Sequence, residues 1–286
     1  MLRPHDLTRC QLLVRFGYDG ARFRGVQPQG PGIPTVGQAL KQRLLDAAGV
    51  PPHGLNFAAR TDSGVHALAN LATCYFRGVN EDEAEDIRRQ LEVARDDGLA
   101  PVRAHRVPPT VHARGSSRGK RYRYLVDDGA HPADLVRDRS WAVVPILDVA
   151  AMREAARFLE GTHDFTSLRG GNCSAASASK TLARVRIGGP FALEHGQRRI
   201  LIEVAGNAFL RKMMRNLTGL LVEVGAGLRA PADLEAILKD RDRSSAGLCA
   251  PPQGLTLLVV GCAWPADGAG LIREIEAAAA ANEADQ

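Results

Sequence analysis

A carboxylate at Asp62 and a guanidinium two residues earlier, at Arg60, are the side chains of this sequence best placed for chemistry. Both lie in a polar stretch that follows a short apolar run and precedes a Ser-Gly turn signal. We therefore expect them on a loop held by the end of a strand. Spacing alone favours a simpler role for Asp62, a turn cap, because Asp readily hydrogen-bonds to the backbone two residues on. For Arg60 the simpler role is a local ion pair with Asp62, which contributes little stability when exposed.

The surroundings of Asp62 in the sequence limit the chemistry open to it. No second carboxylate and no pair of histidines at ligand spacing lies nearby, so we expect no metal site. A glycosidase-type acid/base pair needs two carboxylates flanking one bond, and the sequence shows no partner for Asp62. A single carboxylate that acts covalently or as a base remains. His66 is close by, but a lone His in a turn is more often structural.

Four strand patterns and two capped helix patterns surround this loop in the order βαββαβ, the split arrangement of a ferredoxin-like unit. The predicted strands cover residues 11–16, 55–59, 68–76 and 101–107. Thr35 and Asn80 are the expected N-caps of the two helices. Pro108-Pro109 breaks both kinds of element, which predicts an N-terminal half over residues 1–108 that carries the Asp62 loop.

Residues 109–266 repeat this plan in element order, without a repeat of residue identity. The predicted strands cover residues 121–126, 141–144, 182–187, 200–204 and 255–263. Helices are expected after an N-cap at Asp148 and over residues 209–224 and 231–239. The predicted fold class is α+β: two ferredoxin-like halves with antiparallel sheets, helices on one face of each, and a catalytic cleft between them. The Ala- and Glu-rich residues 267–286 are expected to be a frayed helix or a disordered tail.

The number and placement of charged residues indicate a class of binding partner. The 286 residues carry a net charge of +5, from 37 basic and 32 acidic side chains. Basic side chains crowd two stretches: Arg114, Arg118, Lys120, Arg121 and Arg123 in the first, and Arg211, Lys212 and Arg215 in the second. Solvated surface charge explains most such clusters, but Tyr122 and Tyr124 interleave with the first one and can stack on bases. The sequence thus favours a nucleic-acid partner.

The five cysteines are scattered and show no CxxC spacing, which favours a reduced, cytoplasmic protein without structural zinc. The first residues contain no apolar segment typical of a secretory signal. No apolar run in the sequence is long enough to span a bilayer, so we expect no membrane association.

Five stretches carry a family resemblance, and they occur in the family's order from Tyr18 to Asn216. Arg60-Thr61-Asp62-Ser63-Gly64-Val65-His66-Ala67 closely resembles the active-site loop of the tRNA pseudouridine synthase A family. The other four are similar to further motifs of that family: Tyr18-Asp19-Gly20 with Phe23 to Gln29; Val111 to Arg114 with Lys120 to Tyr124; Asp164-Phe165-Thr166-Ser167; and Asn207 to Asn216. Five ordered motifs are far more specific than any single one.

The resemblance implies an enzyme that isomerises uridine to pseudouridine in tRNA, at positions 38–40 of the anticodon stem-loop. It implies no cofactor, no metal, and a homodimer whose clefts are completed across the subunit interface. The residue matching the family's catalytic Asp is Asp62, which takes part in breaking the N-glycosidic bond. The uracil then rotates and rejoins C1′ through C5. Whether Asp62 attacks C1′ or removes a sugar proton to give a glycal stays open.

The same resemblance assigns roles to two further residues. Arg215 matches the Arg that pairs with the catalytic Asp, and a nearby cation favours an ionised carboxylate. Tyr122 matches the active-site Tyr, whose ring can stack on the uracil and whose hydroxyl can take the C5 proton. The alternatives are an exposed polar-face Arg and a core aromatic on a strand. We hold the core interpretation more strongly for Tyr124.

Substrate contacts are expected from Arg60, Arg24, Gln27 and Phe209. Arg60 has two plausible tasks, contacting a phosphate or holding the target nucleotide out of its stack, since a stacked base in an A-form stem is unreachable. Phe209 has the helical spacing of a core residue and can also line the pocket.

Three departures from the family pattern bear on RNA contacts rather than on catalysis. Val26 stands where an aromatic is usual, Ala59 stands where Gly is common, and residues 170–180 share little with the family's sequence pattern.

Two other functions remain as alternatives. A non-catalytic tRNA-binding or tRNA-folding protein would need the basic clusters but not Asp62. A nucleoside hydrolase would need a second group to activate water, which we do not find.

Overall fold

The computed structural model describes residues 9–129 and 139–262, which form a mixed α/β fold with mostly antiparallel strands. Within these residues there are ten strands and five α-helices. The strands are β1 (Arg9–Tyr18), β2 (His53–Phe57), β3 (His66–Arg77), β4 (Arg103–Arg106), β5 (Ser117–Asp128), β6 (Trp141–Ala142), β7 (Gly161–Asp164), β8 (Ser179–Ala192), β9 (Arg198–Gly206) and β10 (Leu255–Cys262). The helices are α1 (Val36–Ala48), α2 (Glu81–Leu91), α3 (Val149–Arg157), α4 (Met213–Gly225) and α5 (Asp233–Asp240).

The chain forms two compact units, and the first contains residues 9–118 together with 257–262. Its elements begin in the order β1-α1-β2-β3-α2-β4, as the sequence predicts. The strand order is β4-β1-β3-β10, and β2 also pairs with β3. β1 is antiparallel to both β3 and β4, and β2 is antiparallel to β3. Helices α1 and α2 pack against each other.

Both helix caps predicted in this unit are confirmed. Thr35 Oγ1 accepts a hydrogen bond from the Gln38 N–H at 3.3 Å, which satisfies one of the free donors at the start of α1. Asn80 and Glu83 form a reciprocal capping box at the start of α2. The buried stripe of α1 contains Val36, Leu40, Leu44 and Ala47, which recur at helical spacing.

The second unit contains residues 119–256, apart from the gap at 130–138. Its strand order is β5-β9-β8-β7, all antiparallel, and β6 pairs in parallel with β5. Helix α3 packs against α4 and β8. On β5 the alternating residues Tyr122, Tyr124 and Val126 are buried, and the residues between them are partly exposed.

One prediction of local structure is wrong, and one strand was missed. The helix predicted over 209–224 begins later, at Met213, because Lys212 adopts a left-handed backbone conformation with φ 59° that interrupts the helix. Phe209 therefore precedes α4 and does not share its helical stripe. Strand β7 was not predicted, because it begins with a Gly and its four residues show no clear alternation. The tail expected at 267–286 lies outside the described residues. The expected division of the chain after residue 108 stays a prediction.

Candidate active site

The backbone that leads into Asp62 is fixed by β3. After β2 ends at Phe57, the Ala58 N–H donates to Leu71 O at 2.9 Å. The buried Asn70 side chain then bonds Ala59 twice, accepting from its N–H at 3.3 Å and donating to its carbonyl at 3.0 Å. An amide side chain that matches both backbone groups of one residue prevents the chain from slipping along the strand. The loop thus begins from a fixed point.

Thr61, the residue before Asp62, is held by the last residue of β1 and by the segment that follows β1. The hydroxyls of Tyr18 and Thr61 lie 2.8 Å apart, and the Val26 N–H donates to Thr61 O at 3.3 Å. Gly25 makes this approach possible, because its φ is +93° and an added Cβ would lie only 3.1 Å from Thr61 O. The hydroxyl and the carbonyl of the residue preceding the carboxylate are therefore both held from one side.

The far end of the loop closes in a tight turn. The Val65 N–H donates to Asp62 O at 3.2 Å, and Gly64 has a φ of +82° that favours glycine. Ser63 Oγ donates to Phe23 O at 3.4 Å, a longer bond that again reaches the segment after β1. We refer to residues 58–66 as the Asp62 loop.

His66 is buried at the end of the Asp62 loop. Its Nδ1 accepts a hydrogen bond from the Gly20 N–H at 3.1 Å, and the same atom lies 3.1 Å from Asp19 Oδ1. A ring nitrogen that accepts from an amide carries no proton, whereas an ion pair with Asp19 would require one. We favour the neutral ring, since the backbone N–H is a fixed donor. These are contacts of a structural histidine.

The predicted site residues of the first unit meet around this loop. Asp62 is partly exposed and Arg60 is exposed. Arg24 and Gln27 are also exposed, and they flank the Gly25-Val26 backbone that contacts Thr61. The Asp62 loop and the segment after β1 therefore carry together one carboxylate, two guanidinium groups and one amide. Arg24 and Arg60, on these two contacting segments, are more than thirty positions apart in the sequence.

In the second unit, Tyr122 and Phe209 form an aromatic pair. Their ring centroids lie 4.9 Å apart with an interplanar angle of 75°, an edge-to-face arrangement. Tyr122 is 8% exposed, and its cross-strand neighbour is Val204 on β9. Phe209 thus contacts the predicted active-site Tyr directly.

Tyr124, two residues further along β5, has the core role that the sequence favoured. It is fully buried, and its hydroxyl donates to Pro251 O at 2.6 Å. Burial raises the pKa of Tyr124 above its ordinary value, so the hydroxyl keeps its proton and remains a donor.

Arg215 lies in the first turn of α4 and is partly buried. Its Nε donates to Ala250 O at 2.6 Å, which fixes the direction of the guanidinium group. The simple alternative, a fully exposed Arg on the polar face of a helix, does not describe this environment.

Sequence analysis missed the part played by two residues. Tyr18 was noted only as part of a motif, and Asn70 was not noted at all, yet both contact the Asp62 loop. A polar Asn in a strand with apolar neighbours was the available signal for Asn70. Residues 170–178 form a loop, and three cations donate to its backbone carbonyls: Arg169 to Cys173 and Ala175, Lys180 to Ser177, and Arg211 to Gly171.

Within residues 9–129 and 139–262, no group of three or more His, Cys, Asp or Glu side chains has an arrangement that could hold a metal ion. In the same residues, no helix has the length and apolar character needed to cross a membrane.

Comparison with known proteins gives one consistent family. Residues 155–261 match the model of the tRNA pseudouridine synthase family. A tRNA pseudouridine synthase A of Pseudomonas aeruginosa is 39% identical over 249 residues, covering 85% of this chain and 82% of that protein. The tRNA pseudouridine synthase A of Myxococcus xanthus is 37% identical, covering 86% of this chain and 90% of that protein. The tRNA pseudouridine synthase A of Neisseria meningitidis serogroup B is 34% identical, covering 91% of this chain and 94% of that protein. A chain from a solved Cbf5-Nop10-Gar1 complex matches with a TM-score of 0.29 and 14% identity, covering 78% of this chain and 56% of that chain.

The family model and the named relatives define an RNA-modifying isomerase of the pseudouridine synthase class. Within that class, the chain belongs to the tRNA pseudouridine synthase A family.

Proposed function

We propose that this protein converts uridine to pseudouridine in tRNA and that the carboxylate of Asp62 carries the reaction. The observation behind the activity is the 39% identity, over most of both chains, to a tRNA pseudouridine synthase A. The observation that supports Asp62 is its setting. It is a partly exposed carboxylate on a loop whose backbone is held from both sides.

The reaction is an isomerisation, so it needs no co-reactant. The bond between uracil N1 and C1′ breaks, the uracil turns, and a bond forms between C5 and C1′. The proton on C5 leaves for a base or water, and N1 takes up a proton, so the atoms balance. An ionised Asp62 can act by attacking C1′ or by removing a sugar proton. In both routes the carboxylate must be placed accurately against one ribose, which a loop with restrained backbone can do.

Tyr122 and Arg215 are the proposed partners of Asp62. The edge-to-face contact with Phe209 restrains the Tyr122 ring, which supports a role in stacking on the uracil and taking the C5 proton. Phe209 would then border the uracil pocket. The bond from Arg215 to Ala250 O orients its guanidinium group. The family resemblance assigns this group as the cation that pairs with the catalytic carboxylate.

Arg60, Arg24 and Gln27 are proposed to hold the RNA around the target nucleotide. All three are exposed side chains on the two segments that meet at Thr61. Guanidinium groups suit phosphate oxygens because they donate in a planar fork. An amide such as Gln27 can bond a base edge or a ribose hydroxyl.

The remaining parts of the proposal concern context. By the same resemblance, the targets are uridines at positions 38–40 of the anticodon stem-loop and the protein works as a homodimer. The order β4-β1-β3 with β2 on β3 supports a ferredoxin-like first half, and a similar second half is proposed. The free cysteines Cys10, Cys74, Cys173, Cys249 and Cys262 support a reducing, cytoplasmic setting.

The activity and its target can be tested together. Unmodified tRNA transcripts carrying a single anticodon-arm uridine at position 38, 39 or 40 would be incubated with the purified protein and mapped for pseudouridine by carbodiimide-dependent stops of reverse transcription. We expect stops at one or more of these positions. Tight tRNA binding without any pseudouridine would contradict the proposal and favour the non-catalytic tRNA-binding protein. Free uracil in the digest would instead indicate a hydrolase.

A further inference from the structure

Tyr18, the last residue of β1, contacts the Asp62 loop without bearing any group that the reaction itself uses. We infer that Tyr18 is a positioning residue, which holds Asp62 in place through the hydroxyl of Thr61. This inference rests on the proposed function, because it assumes that Asp62 acts on the substrate.

The contact between Tyr18 and Thr61 lies directly beside Asp62 in the chain. Thr61 is the immediate neighbour of Asp62, and its hydroxyl lies 2.8 Å from the Tyr18 hydroxyl. Its carbonyl is held separately by the Val26 N–H. With the side chain and the carbonyl both bonded, the backbone torsions just before Asp62 have little freedom. The direction of the Asp62 side chain is thereby restricted.

The side chain of Asn70 also contacts the Tyr18 hydroxyl. Its Nδ2 lies 3.5 Å from the Tyr18 hydroxyl oxygen and 3.0 Å from Ala59 O, so it donates to both. A Tyr18 oxygen that accepts from Asn70 has its own proton available for Thr61 Oγ1. Burial raises the pKa of Tyr18 to about 12, so this proton stays in place at neutral pH. The Tyr18 hydroxyl thus links Asn70 to Thr61.

The turn that follows Tyr18 contacts the opposite end of the Asp62 loop. The Gly20 N–H donates to His66 Nδ1, and the Gly20 Cα lies so close to Val65 O that an added Cβ would overlap it. Residues 18–20 therefore contact the loop before Asp62, at Thr61, and after it, at Val65 and His66. A carboxylate restrained on both sides loses less entropy when it reaches its reactive geometry.

A packing role for the Tyr18 ring can be separated from the role of its hydroxyl. The ring lies 5.9 Å from Phe16 and 6.5 Å from Phe23, measured between centroids. Tyr18→Phe keeps both ring contacts and removes only the hydroxyl. A role in packing alone would survive this substitution, whereas positioning through Thr61 would not.

The experiment measures single-turnover rates at saturating enzyme on a tRNA with one anticodon-arm uridine, beside the Kd for that tRNA. We expect Tyr18→Phe and Thr61→Val each to lower the rate by about tenfold or more, since small displacements of catalytic groups are costly. The tRNA Kd should stay close to the wild-type value. The double variant should be no slower than the slower single variant, because both remove one contact. Thr61→Ser keeps the hydroxyl and should restore most of the rate.

Tyr75→Phe is the matched control, because Tyr75 lies on β3 beneath Arg9 and outside the Asp62 loop. It should react at the wild-type rate. A Tyr18→Phe enzyme with the wild-type rate would overturn the inference. So would a parallel loss of rate, tRNA affinity and melting temperature, which indicates a structural role alone. An inactive wild type would instead overturn the proposed function.

Discussion

Arg215 and Ala250 are hydrogen-bonded in both directions. The Arg215 Nε donates to Ala250 O at 2.6 Å, and the Ala250 N–H donates to Arg215 O at 3.0 Å. The same short segment, residues 247–251, is also tied to Glu223, whose carboxylate accepts from the Leu248 N–H at 2.8 Å. A residue of α4 is thus joined to the segment by both its backbone and its side chain. The guanidinium of Arg215 is oriented by the fold itself.

This geometry predicts that Arg215→Lys will not preserve function. Lys keeps the positive charge but lacks the planar Nε donor that bonds Ala250 O, so its ammonium group will not be held in the same direction. We expect a single-turnover rate at least about tenfold below wild type. Arg157→Lys, an exposed substitution on α3, is the control and should leave the rate unchanged. A fully active Arg215→Lys enzyme would show that charge alone suffices.

Gly219 of α4 predicts an unusual stability effect. Gly→Ala within a helix normally stabilises it by up to about 1 kcal/mol. Here an added Cβ would overlap the Leu248 carbonyl, which belongs to the restrained 247–251 segment. We expect Gly219→Ala to lower the free energy of unfolding by about 1–3 kcal/mol. Gly225→Ala is the comparison, because its nearest atom is the flexible Met152 Sδ at 2.9 Å and its cost should be smaller. Chemical denaturation of both variants measures this, and an equal or stabilising effect at Gly219 would contradict it.

The first basic cluster should contribute unequally to tRNA binding. Arg114 is exposed, whereas Arg123 is paired with Glu203 at 2.6 Å across β5 and β9. Each cation that neutralises a phosphate contributes about 0.7–0.9 to the slope of log K against log salt concentration. We expect Arg114→Gln to reduce that slope by roughly this amount and Arg123→Gln to leave it nearly unchanged. Filter binding between about 50 and 200 mM salt gives both slopes. A larger change for Arg123→Gln would mean that its ion pair opens on RNA.

Stability should fall at alkaline pH because buried groups resist ionisation. Burial raises the pKa of Tyr18 from 10.0 to about 12, and burial raises that of Cys74 from 9.0 to about 12. The unfolded chain releases these protons first, so their stabilisation is complete below pH 9 and is lost progressively up to about pH 12. Each group contributes a slope of about −1.4 kcal/mol per pH unit within its own window.

Tyr18→Phe removes one of these two contributions. Its free energy of unfolding should fall less steeply than that of wild type between pH 10 and pH 12, with little difference in slope below pH 9. Cys74→Ala should flatten the fall from about pH 9 upward. Urea titrations at fixed pH values measure these slopes. Identical slopes for wild type and Tyr18→Phe would contradict the stated effect of burial.

Local features of this chain could be predicted, and contacts between distant segments could not. Thr35, Asn80 and Asp148 were identified as N-caps because a cap is defined by residues within one turn. The buried face of β5 followed from alternation alone. The start of α4 was placed too early because the apolar spacing continues through Phe209 and does not reveal the left-handed Lys212.

In the candidate site, too, the local feature could be predicted from the sequence and the contacts between distant residues could not. A loop carrying Asp62 after a strand was predictable from the Ser-Gly turn signal and the apolar run before it. The bond between Tyr18 and Thr61 joins residues 43 positions apart, and the Arg215–Ala250 bond spans 35 positions. Such pairs depend on strand register and helix placement, which no local pattern encodes. Resemblance to a family drew attention to these stretches and implied that Arg215 pairs with Asp62, but it gave neither of these two bonds.

The role of Asp62 is tested most directly by proton release from the uridine itself. tRNA labelled with tritium at uridine C5 would be incubated with wild type, Asp62→Asn, and Asp82→Asn as an exposed carboxylate control on α2. We predict tritium release to water by wild type and Asp82→Asn, and none above background by Asp62→Asn, which should still bind the tRNA. Release by Asp62→Asn at the wild-type rate would contradict the assignment of the reaction to this carboxylate.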